Sequence, residues 1–129
     1  MPDNKKILLV EDEPLLLNLL KQRLERDGFE IVAAHDGEEA LKILETVEPS
    51  LILLDIILPK VSGFEVMEAI QKNPNYKKAP IIVISNLGQD TDMAKGQSLG
   101  AVGYFIKAQV SIEDLVTKIK AFLSGQKTI

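Results

Sequence analysis

The sequence predicts an α/β fold in which helices cover both faces of a five-stranded parallel sheet, and three observations support this. Short apolar runs at regular spacing predict strands. They are Lys6–Val10, Glu30–Ala34, Leu51–Asp55, Ile81–Ser85 and Gly103–Ile106. Three of them are continuous Ile, Val and Leu runs, which is typical of strands buried on both faces. A helical pattern follows every strand, and repeated βα alternation implies parallel strands with right-handed crossovers.

Most of the helices have recognisable ends. The first begins at Pro14, a favourable first-turn proline, and stops at Gly28. Ser62 and Glu65 predict a capping box that opens the third helix, and Ser111 opens the fifth in a similar way. The fifth helix has the clearest amphipathic spacing. Its apolar face consists of Ile112, Leu115, Val116, Ile119, Phe122 and Leu123.

The fourth helix, from about Thr91 to Leu99, is the weakest prediction. Gly96 lies inside it and costs about 1 kcal/mol relative to alanine, and Gly100 closes it. Residues 73–80, which precede the fourth strand, are rich in turn-forming residues and indicate a connection within one domain.

The composition describes one globular domain and excludes some classes of function. The chain has 129 residues, of which 46% are hydrophobic and 26% charged, enough for a core without disulfides. It has no cysteine, which fits a reducing compartment, and no apolar run of the roughly 18 residues that a membrane span needs. The net charge of −4 argues against direct binding to nucleic acid. We expect a cytoplasmic protein without membrane contact.

Polar residues follow the predicted strands at their carboxyl ends, where open parallel sheets carry their functional groups. They are Glu11, Asp12 and Glu13 after the first strand, Asp55 and Ser85 at the ends of the third and fourth, and Lys107 after the fifth. Any one of them alone is expected to be a capping or solvated residue. Clustered carboxylates repel one another unless a cation joins them, and Mg²⁺ takes carboxylate and phosphate oxygens. Together the residues therefore predict phosphoryl chemistry on an aspartate.

At this point the chain resembles a known family, the receiver domains of two-component response regulators, and in particular the single-domain regulators of the chemotaxis type. The segments that carry the resemblance are Ile7–Pro14, Leu53–Pro59 with Gly63, Ile84-Ser85 and Gly100–Lys107. The resemblance implies a flavodoxin-like sheet with strand order 2-1-3-4-5 and five helices. It also implies a single receiver domain over residues 1–129. The start at Met1 favours a stand-alone protein or an N-terminal domain.

The resemblance implies a magnesium site. Asp55 would be the phosphoacceptor and a Mg²⁺ ligand, with Asp12 as a second direct ligand. Glu11 would act on the metal mainly through water, and the backbone carbonyl of Ile57 would supply another ligand.

The resemblance also implies roles for residues around the phosphoryl group. Lys107 would contact that group and the acceptor carboxylate, and Ser85 would donate a hydrogen bond to a phosphoryl oxygen. Tyr104 would be the aromatic whose rotamer follows the movement of Ser85. Pro59 and Gly63 would shape the loop after the third strand.

The implied activity is that of a phosphoacceptor signalling protein, not an enzyme, with autocatalysed phosphorylation and dephosphorylation. The implied donor is a phosphohistidine on a sensor histidine kinase or a histidine phosphotransfer protein, and the chain would act as a switch or phosphorelay intermediate. The output would pass to a downstream protein through the fourth helix, fifth strand and fifth helix. We expect a monomer or a weak dimer.

The sequence departs from the family pattern at three places. Asn86 follows Ser85 where the family has a very small residue, so we expect Asn86 to modulate the lifetime of the phosphoryl group, as we also expect for Ile57. Ala108 stands where the family commonly has a cis proline, and we expect a trans bond there. Val102-Gly103 replaces a pair of acids that marks one dimerising subfamily, which argues against dimerisation of that type.

Three other interpretations remain open from the residues. A receiver-like binding module could signal without phosphate. A flavin- or nucleotide-binding enzyme has the same sheet topology, although such enzymes hold phosphate with Gly- or Ser-rich loops. A phosphatase would need a second carboxylate two residues after Asp55, where Ile57 stands. Glu13 is expected to be a solvated first-turn acid, and His35 a surface histidine.

Overall fold

The computed structural model describes residues 5–76 and 79–125 of the chain. The strands are β1 (Lys6–Val10), β2 (Glu30–Ala34), β3 (Leu51–Leu54), β4 (Ile81–Ser85) and β5 (Ala101–Ile106). The helices are α1 (Pro14–Arg26), α2 (Gly37–Leu44), α3 (Gly63–Lys72), α4 (Asp90–Ser98) and α5 (Ile112–Leu123). A short 3₁₀ turn at Lys107–Gln109 connects β5 to α5.

All strand pairs are parallel, and the order is β2-β1-β3-β4-β5, as predicted. Four boundaries, in three elements, differ from the sequence prediction. β3 ends at Leu54, so Asp55 follows the strand; β5 begins at Ala101; and α4 begins at Asp90 and ends at Ser98. β5 begins two residues before its predicted start because Ala101 pairs with Ile81. A register shift between Ile81 and Ile82 then brings Gly103 opposite Ile82.

The helix ends show the expected chemistry. The Ser62 hydroxyl accepts a hydrogen bond from the Glu65 amide while the Glu65 carboxylate accepts one from the Ser62 amide, which is the predicted capping box. The Ser111 hydroxyl caps α5 by accepting from the Asp114 amide. Gly28 follows α1 with a φ of +98°, a left-handed conformation that glycine adopts without strain.

The sheet has an apolar layer on each face, because successive side chains of a strand point to opposite sides. Ile7 and Leu9 face the layer that α1 and α5 cover. Leu8 and Val10 face the layer that α2 and α3 cover. β1 and β3 are thereby buried on both sides, and their carboxyl ends are held in place by the whole core.

Helix α4 is packed differently from the other four. Gly96 is its only buried residue, and α4 has no apolar stripe against the sheet.

The connection that precedes β4 includes residues 77 and 78, which lie outside the described part of the chain. Among the described helices, none combines the length and apolar composition that crossing a bilayer requires.

Candidate phosphoryl and metal site

The carboxyl ends of β1 and β3 bring the first carboxylates together. Val10 and Leu54 are partners in the β1–β3 register, so Glu11 and Asp55 emerge side by side. The Asp55 amide donates to the Val10 carbonyl at 3.1 Å and holds the backbone on this alignment. Both acids are buried, Glu11 at 2% and Asp55 at 4% exposure.

Glu11, Asp12 and Asp55 form a group of oxygen ligands. One carboxylate oxygen from each lies within 4.8 Å of the others, and Asp12 is open to solvent. Burial of two carboxylates near a third is costly without a cation. Hard oxygen donors with one solvent-facing side suit Mg²⁺, which retains several of its waters. The residues present therefore fit the magnesium site that the sequence predicts.

Lys107 supplies the fixed positive charge of this cluster. Its Nζ lies 2.7 Å from Asp55 Oδ2 and 2.9 Å from Glu11 Oε1, and it also contacts the Glu13 carboxylate. Burial alone would lower the pKa of Lys107, but hydrogen bonds to Asp55, Glu13 and Glu11 outweigh it and raise that pKa above its usual range. Lys107 is therefore a permanent cation beside the Asp55 carboxylate.

Burial is the main reason that the pKa of Glu11 rises to about 7. The nearby Asp55 charge raises it further, while hydrogen bonds from Lys107 and from the Glu13 amide lower it. One ammonium thus compensates the buried carboxylates only in part, and the remaining negative charge favours a divalent cation.

The site opens to solvent through a pocket of about 250 Å³. Its lining consists of Asp12, Glu13, Asp55, Ile57, Asn86 and Lys107. The Ile57 amide donates to Asp55 Oδ1 at 3.2 Å and Lys107 to Oδ2, so the Asp55 carboxylate is held on both oxygens. The exposed Ile57 and Asn86 side chains stand at the mouth, where an incoming molecule meets them.

The loop after β3 is closed tightly behind Asp55. The Gly63 amide donates to the Ile56 carbonyl at 2.8 Å, and a Cβ at Gly63 would lie 2.3 Å from the Asp55 carbonyl oxygen. Only a residue without a side chain fits there. Lys60 has a φ of +68°, and its ammonium lies 3.8 Å from Asp36 at the start of α2.

Ser85 and Tyr104 lie behind the pocket and do not line it. The Ser85 hydroxyl oxygen is fully buried and accepts a hydrogen bond from the Leu87 amide at 3.3 Å. The Tyr104 hydroxyl donates to the Leu87 carbonyl. Both side chains therefore hold the same residue of the loop between β4 and α4, a link through Leu87 that sequence reasoning missed.

Three expectations about neighbouring residues have clear outcomes. Glu13 is an exposed acid, as expected, and is not part of the group of possible metal ligands, but it occupies the N-cap position of α1 and also pairs with Lys107. His35 is a surface histidine, as expected, and its Nδ1 lies 3.1 Å from Glu39. Within residues 5–76 and 79–125 no peptide bond is cis, so the bond from Lys107 to Ala108 is trans, as predicted.

Comparison with known proteins identifies the family to which this chain belongs. A sequence model described as the response regulator receiver domain matches residues 7–120. The chain belongs to this family. The receiver domain is the phosphoacceptor of two-component response regulators and interacts with histidine kinases or phosphotransfer proteins. The resemblance and the flavodoxin-like fold inferred from sequence are thus confirmed.

The relatives found by sequence are longer proteins. The alkaline phosphatase synthesis transcriptional regulatory protein PhoP of Bacillus subtilis is 40% identical over 120 residues, which are 93% of this chain and 49% of PhoP. The transcriptional regulatory protein CpxR of Escherichia coli is 38% identical over 118 residues, 92% of this chain and 49% of CpxR. The chain spans about half the length of these relatives.

Solved structures match the receiver over nearly their whole length. A two-component response regulator from Clostridium difficile has a TM-score of 0.86 at 29% identity and covers 95% of this chain and 98% of its own. A CheY-like receiver domain protein from Methanospirillum hungatei has a TM-score of 0.85 at 31% identity and covers 97% and 98%.

Proposed function

We propose that Asp55 is the phosphoacceptor of this receiver and takes its phosphoryl group from an N-phosphorylated histidine of a sensor kinase or a phosphotransfer protein. The observation that carries the proposal is the buried Asp55 carboxylate, which lies 2.7 Å from the Lys107 ammonium at the base of an open acidic pocket. A carboxylate placed beside a fixed cation can attack phosphorus while that cation offsets the developing charge.

The transfer is balanced in bonds and protons. A carboxylate oxygen of Asp55 forms a bond to phosphorus, the P–N bond to the donor imidazole breaks, and the leaving nitrogen takes a proton from solvent. Loss of the group adds water to phosphorus, breaks the P–O bond to Asp55 and releases inorganic phosphate. We propose that the receiver carries out both steps itself, since the pocket holds the acceptor, Lys107 and access for water.

Glu11, Asp12 and Asp55 would hold Mg²⁺, with Glu11 acting through water and the Ile57 carbonyl completing the protein ligands. Bound Mg²⁺ supplies positive charge that offsets the charge on the transferred group. The support for this assignment is the set of three carboxylates within 4.8 Å, of which two are buried and share a single lysine.

Ser85 and Tyr104 would carry the change outward. The hydrogen bond from the Leu87 amide uses the Ser85 oxygen and leaves its hydroxyl hydrogen for a phosphoryl oxygen. Movement of Ser85 would act on Leu87, which Tyr104 also holds, and so on α4. The signal would pass to a downstream protein at the face formed by α4, β5 and α5, without direct contact with nucleic acid or membrane.

We further propose that residues 1–129 function as one receiver domain in the cytoplasm, as a monomer or a weak dimer. The match of one receiver domain to residues 7–120 supports the single domain, and the absence of cysteine fits a reducing compartment. The relatives named above are called transcriptional regulatory proteins, and the output of this chain would come through protein contacts.

Phosphorylation by a small donor tests the assignment of Asp55. The chain of residues 1–129 is incubated with acetyl phosphate and Mg²⁺, and intact-protein mass spectrometry follows the added phosphoryl group. We expect one group per chain, no reaction with excess EDTA, and none in Asp55→Asn. Asp114→Asn, which removes an exposed carboxylate of α5, is the matched control and should react as the wild type does.

Phosphorylation of Asp55→Asn to the wild-type level would overturn the assignment. Absence of both phosphorylation and Mg²⁺ binding in the wild type would instead favour a receiver that binds its partners without phosphate.

Asn86 provides a second test, because its exposed amide stands at the pocket mouth. We expect Asn86→Ala to lose its phosphoryl group about two- to tenfold faster than the wild type, the value of one net hydrogen bond. Decay of the phosphoprotein after removal of the donor measures this. Equal or slower decay in Asn86→Ala would contradict the role.

A further inference from the structure

The Glu13 carboxylate pairs with Lys107 and does not cap the helix that Glu13 precedes. It occupies the N-cap position of α1, where a short polar side chain would normally accept a hydrogen bond from the first turn. Its side chain makes no such bond, and its own amide donates to Glu11 Oε2 at 3.0 Å. The carboxylate instead reaches across the pocket to the Lys107 ammonium.

The three carboxylates around Lys107 occupy different depths. The side chains of Glu11 and Asp55 are 3% and 4% exposed at the base of the site, while the Glu13 side chain is 57% exposed. Glu13 therefore covers the solvent side of the ammonium. That is the side from which an anionic phosphodonor enters, and where Lys107 would meet an oxygen of the incoming group.

We infer that Glu13 is a positioning residue that competes with the phosphoryl group for Lys107 and thereby limits the affinity of the receiver for anionic phosphodonors. This inference rests on the proposed function of Asp55. Before transfer, the Glu13 carboxylate occupies the outer face of the ammonium. During transfer, a phosphoryl oxygen takes that place and Glu13 turns toward solvent, for which its exposure leaves room.

The single negative charge of Glu13 acts in opposite directions on the two charged species that enter the pocket. It repels an anionic donor and attracts a divalent cation. For charges about 6 Å apart in water, removal of one charge changes binding about threefold for a monoanion and about tenfold for a dianion or a divalent cation, at low salt. A loss of folding, by contrast, would weaken the binding of both species together.

The test is Glu13→Gln in the full chain, which keeps the size and an amide oxygen for Lys107 but removes the charge. At saturating Mg²⁺ and pH 7, we expect KM for acetyl phosphate, a dianion, to fall about tenfold and KM for phosphoramidate, which carries one net negative charge, to fall about threefold. We expect kcat to change less than KM, because Asp55 and its bonds to Lys107 and Ile57 are retained.

Glu45→Gln is the matched control. Glu45 is exposed at the C-terminal end of α2, and because α2 runs antiparallel to the strands, that end lies at the opposite edge of the sheet from the pocket. It should leave both KM values unchanged. Mg²⁺ titration followed by amide chemical shifts gives a readout independent of phosphorylation, and Glu13→Gln should bind Mg²⁺ up to about tenfold more weakly.

The inference is overturned if Glu13→Gln and Glu45→Gln give the same KM values, or if the change is equal for the monoanionic and dianionic donors. It is also overturned if donor and Mg²⁺ binding weaken together. Wild-type protein that does not react, or Asp55→Asn that does, would instead count against the proposed function, so the two failures are distinguishable.

Discussion

The carboxyl edge of β1 and β3 and the helix α4 differ in how firmly the fold holds them. All four residues of β3 are fully buried, and four of the five residues of β1 are buried as well. In α4 only Gly96 is buried. The Asp55 carboxylate thus stands on a well-packed part of the core, whereas α4 lies on the surface with little apolar contact.

Helix α4 has no packed apolar face, and a few individual contacts attach it to the rest of the fold. The Tyr104 ring lies against Gly96, and the Lys95 ammonium lies 4.6 Å from the centroid of the Phe64 ring on α3. Each contact of this kind contributes about 1 kcal/mol. We therefore expect α4 to change position at a lower cost in free energy than the carboxyl edge of β1 and β3.

The largest predicted effect is on the free energy of unfolding when a glycine in each region, Gly63 or Gly96, is replaced by alanine. A Cβ at Gly63 would meet main-chain atoms at 2.3 and 2.7 Å, so we expect Gly63→Ala to lose about 3 kcal/mol of unfolding free energy. A Cβ at Gly96 meets only the Tyr104 ring, at 3.0 Å, and alanine is the better helix former by about 1 kcal/mol. We expect Gly96→Ala to unfold within about 1 kcal/mol of the wild type.

Urea unfolding of both variants measures the difference, and the Tyr104 ring resonances should shift in Gly96→Ala. The contrast between a rigid site and a loosely held helix fails if Gly96→Ala is as destabilised as Gly63→Ala.

A smaller effect is expected for the link between β5 and the loop that precedes α4. Tyr104→Phe removes the hydroxyl that donates to the Leu87 carbonyl and should cost about 1 kcal/mol. Amide hydrogen exchange should become faster in α4 and remain unchanged in β1 and β3. Equal acceleration in all three elements would show that this bond supports the whole fold and not α4 alone.

The smallest effect concerns the surface of the well-packed α1–α5 layer. Arg23 forms two hydrogen bonds to Glu113, at 2.8 and 2.9 Å, and these bonds lower the pKa of Glu113 below 4.5. A lowered carboxyl pKa stabilises the fold above the unfolded value and loses that contribution as pH falls through the folded value.

We therefore expect Glu113→Gln to be slightly less stable than the wild type at pH 7, with the difference vanishing as the pH falls from 7 through the folded pKa of Glu113. Urea unfolding across this range measures it, and Glu45→Gln serves as the charge-matched control. A difference that persists in acid would contradict an electrostatic origin.

Much of this receiver follows from sequence alone. The strands were predicted within two residues at each end, because buried parallel strands are continuous apolar runs that polar residues interrupt. The acidic residues of the site and Lys107 were predicted for the same reason, since the carboxyl ends of parallel strands meet at one edge. The helix caps at Ser62 and Ser111 were local and equally readable.

The pairing of side chains across that edge was decided by the tertiary structure. Glu13 and Lys107 are 94 residues apart, and the sequence alone favoured solvent for Glu13. Ser85 and Tyr104 both lie in the expected strands, yet their common partner, Leu87, depends on the path of the loop after β4. Periodicity and caps act over a few residues, so the chain sequence determines its elements and the edge where the functional groups gather. Which group touches which depends on distances across the sheet, which exist only once the strands have paired.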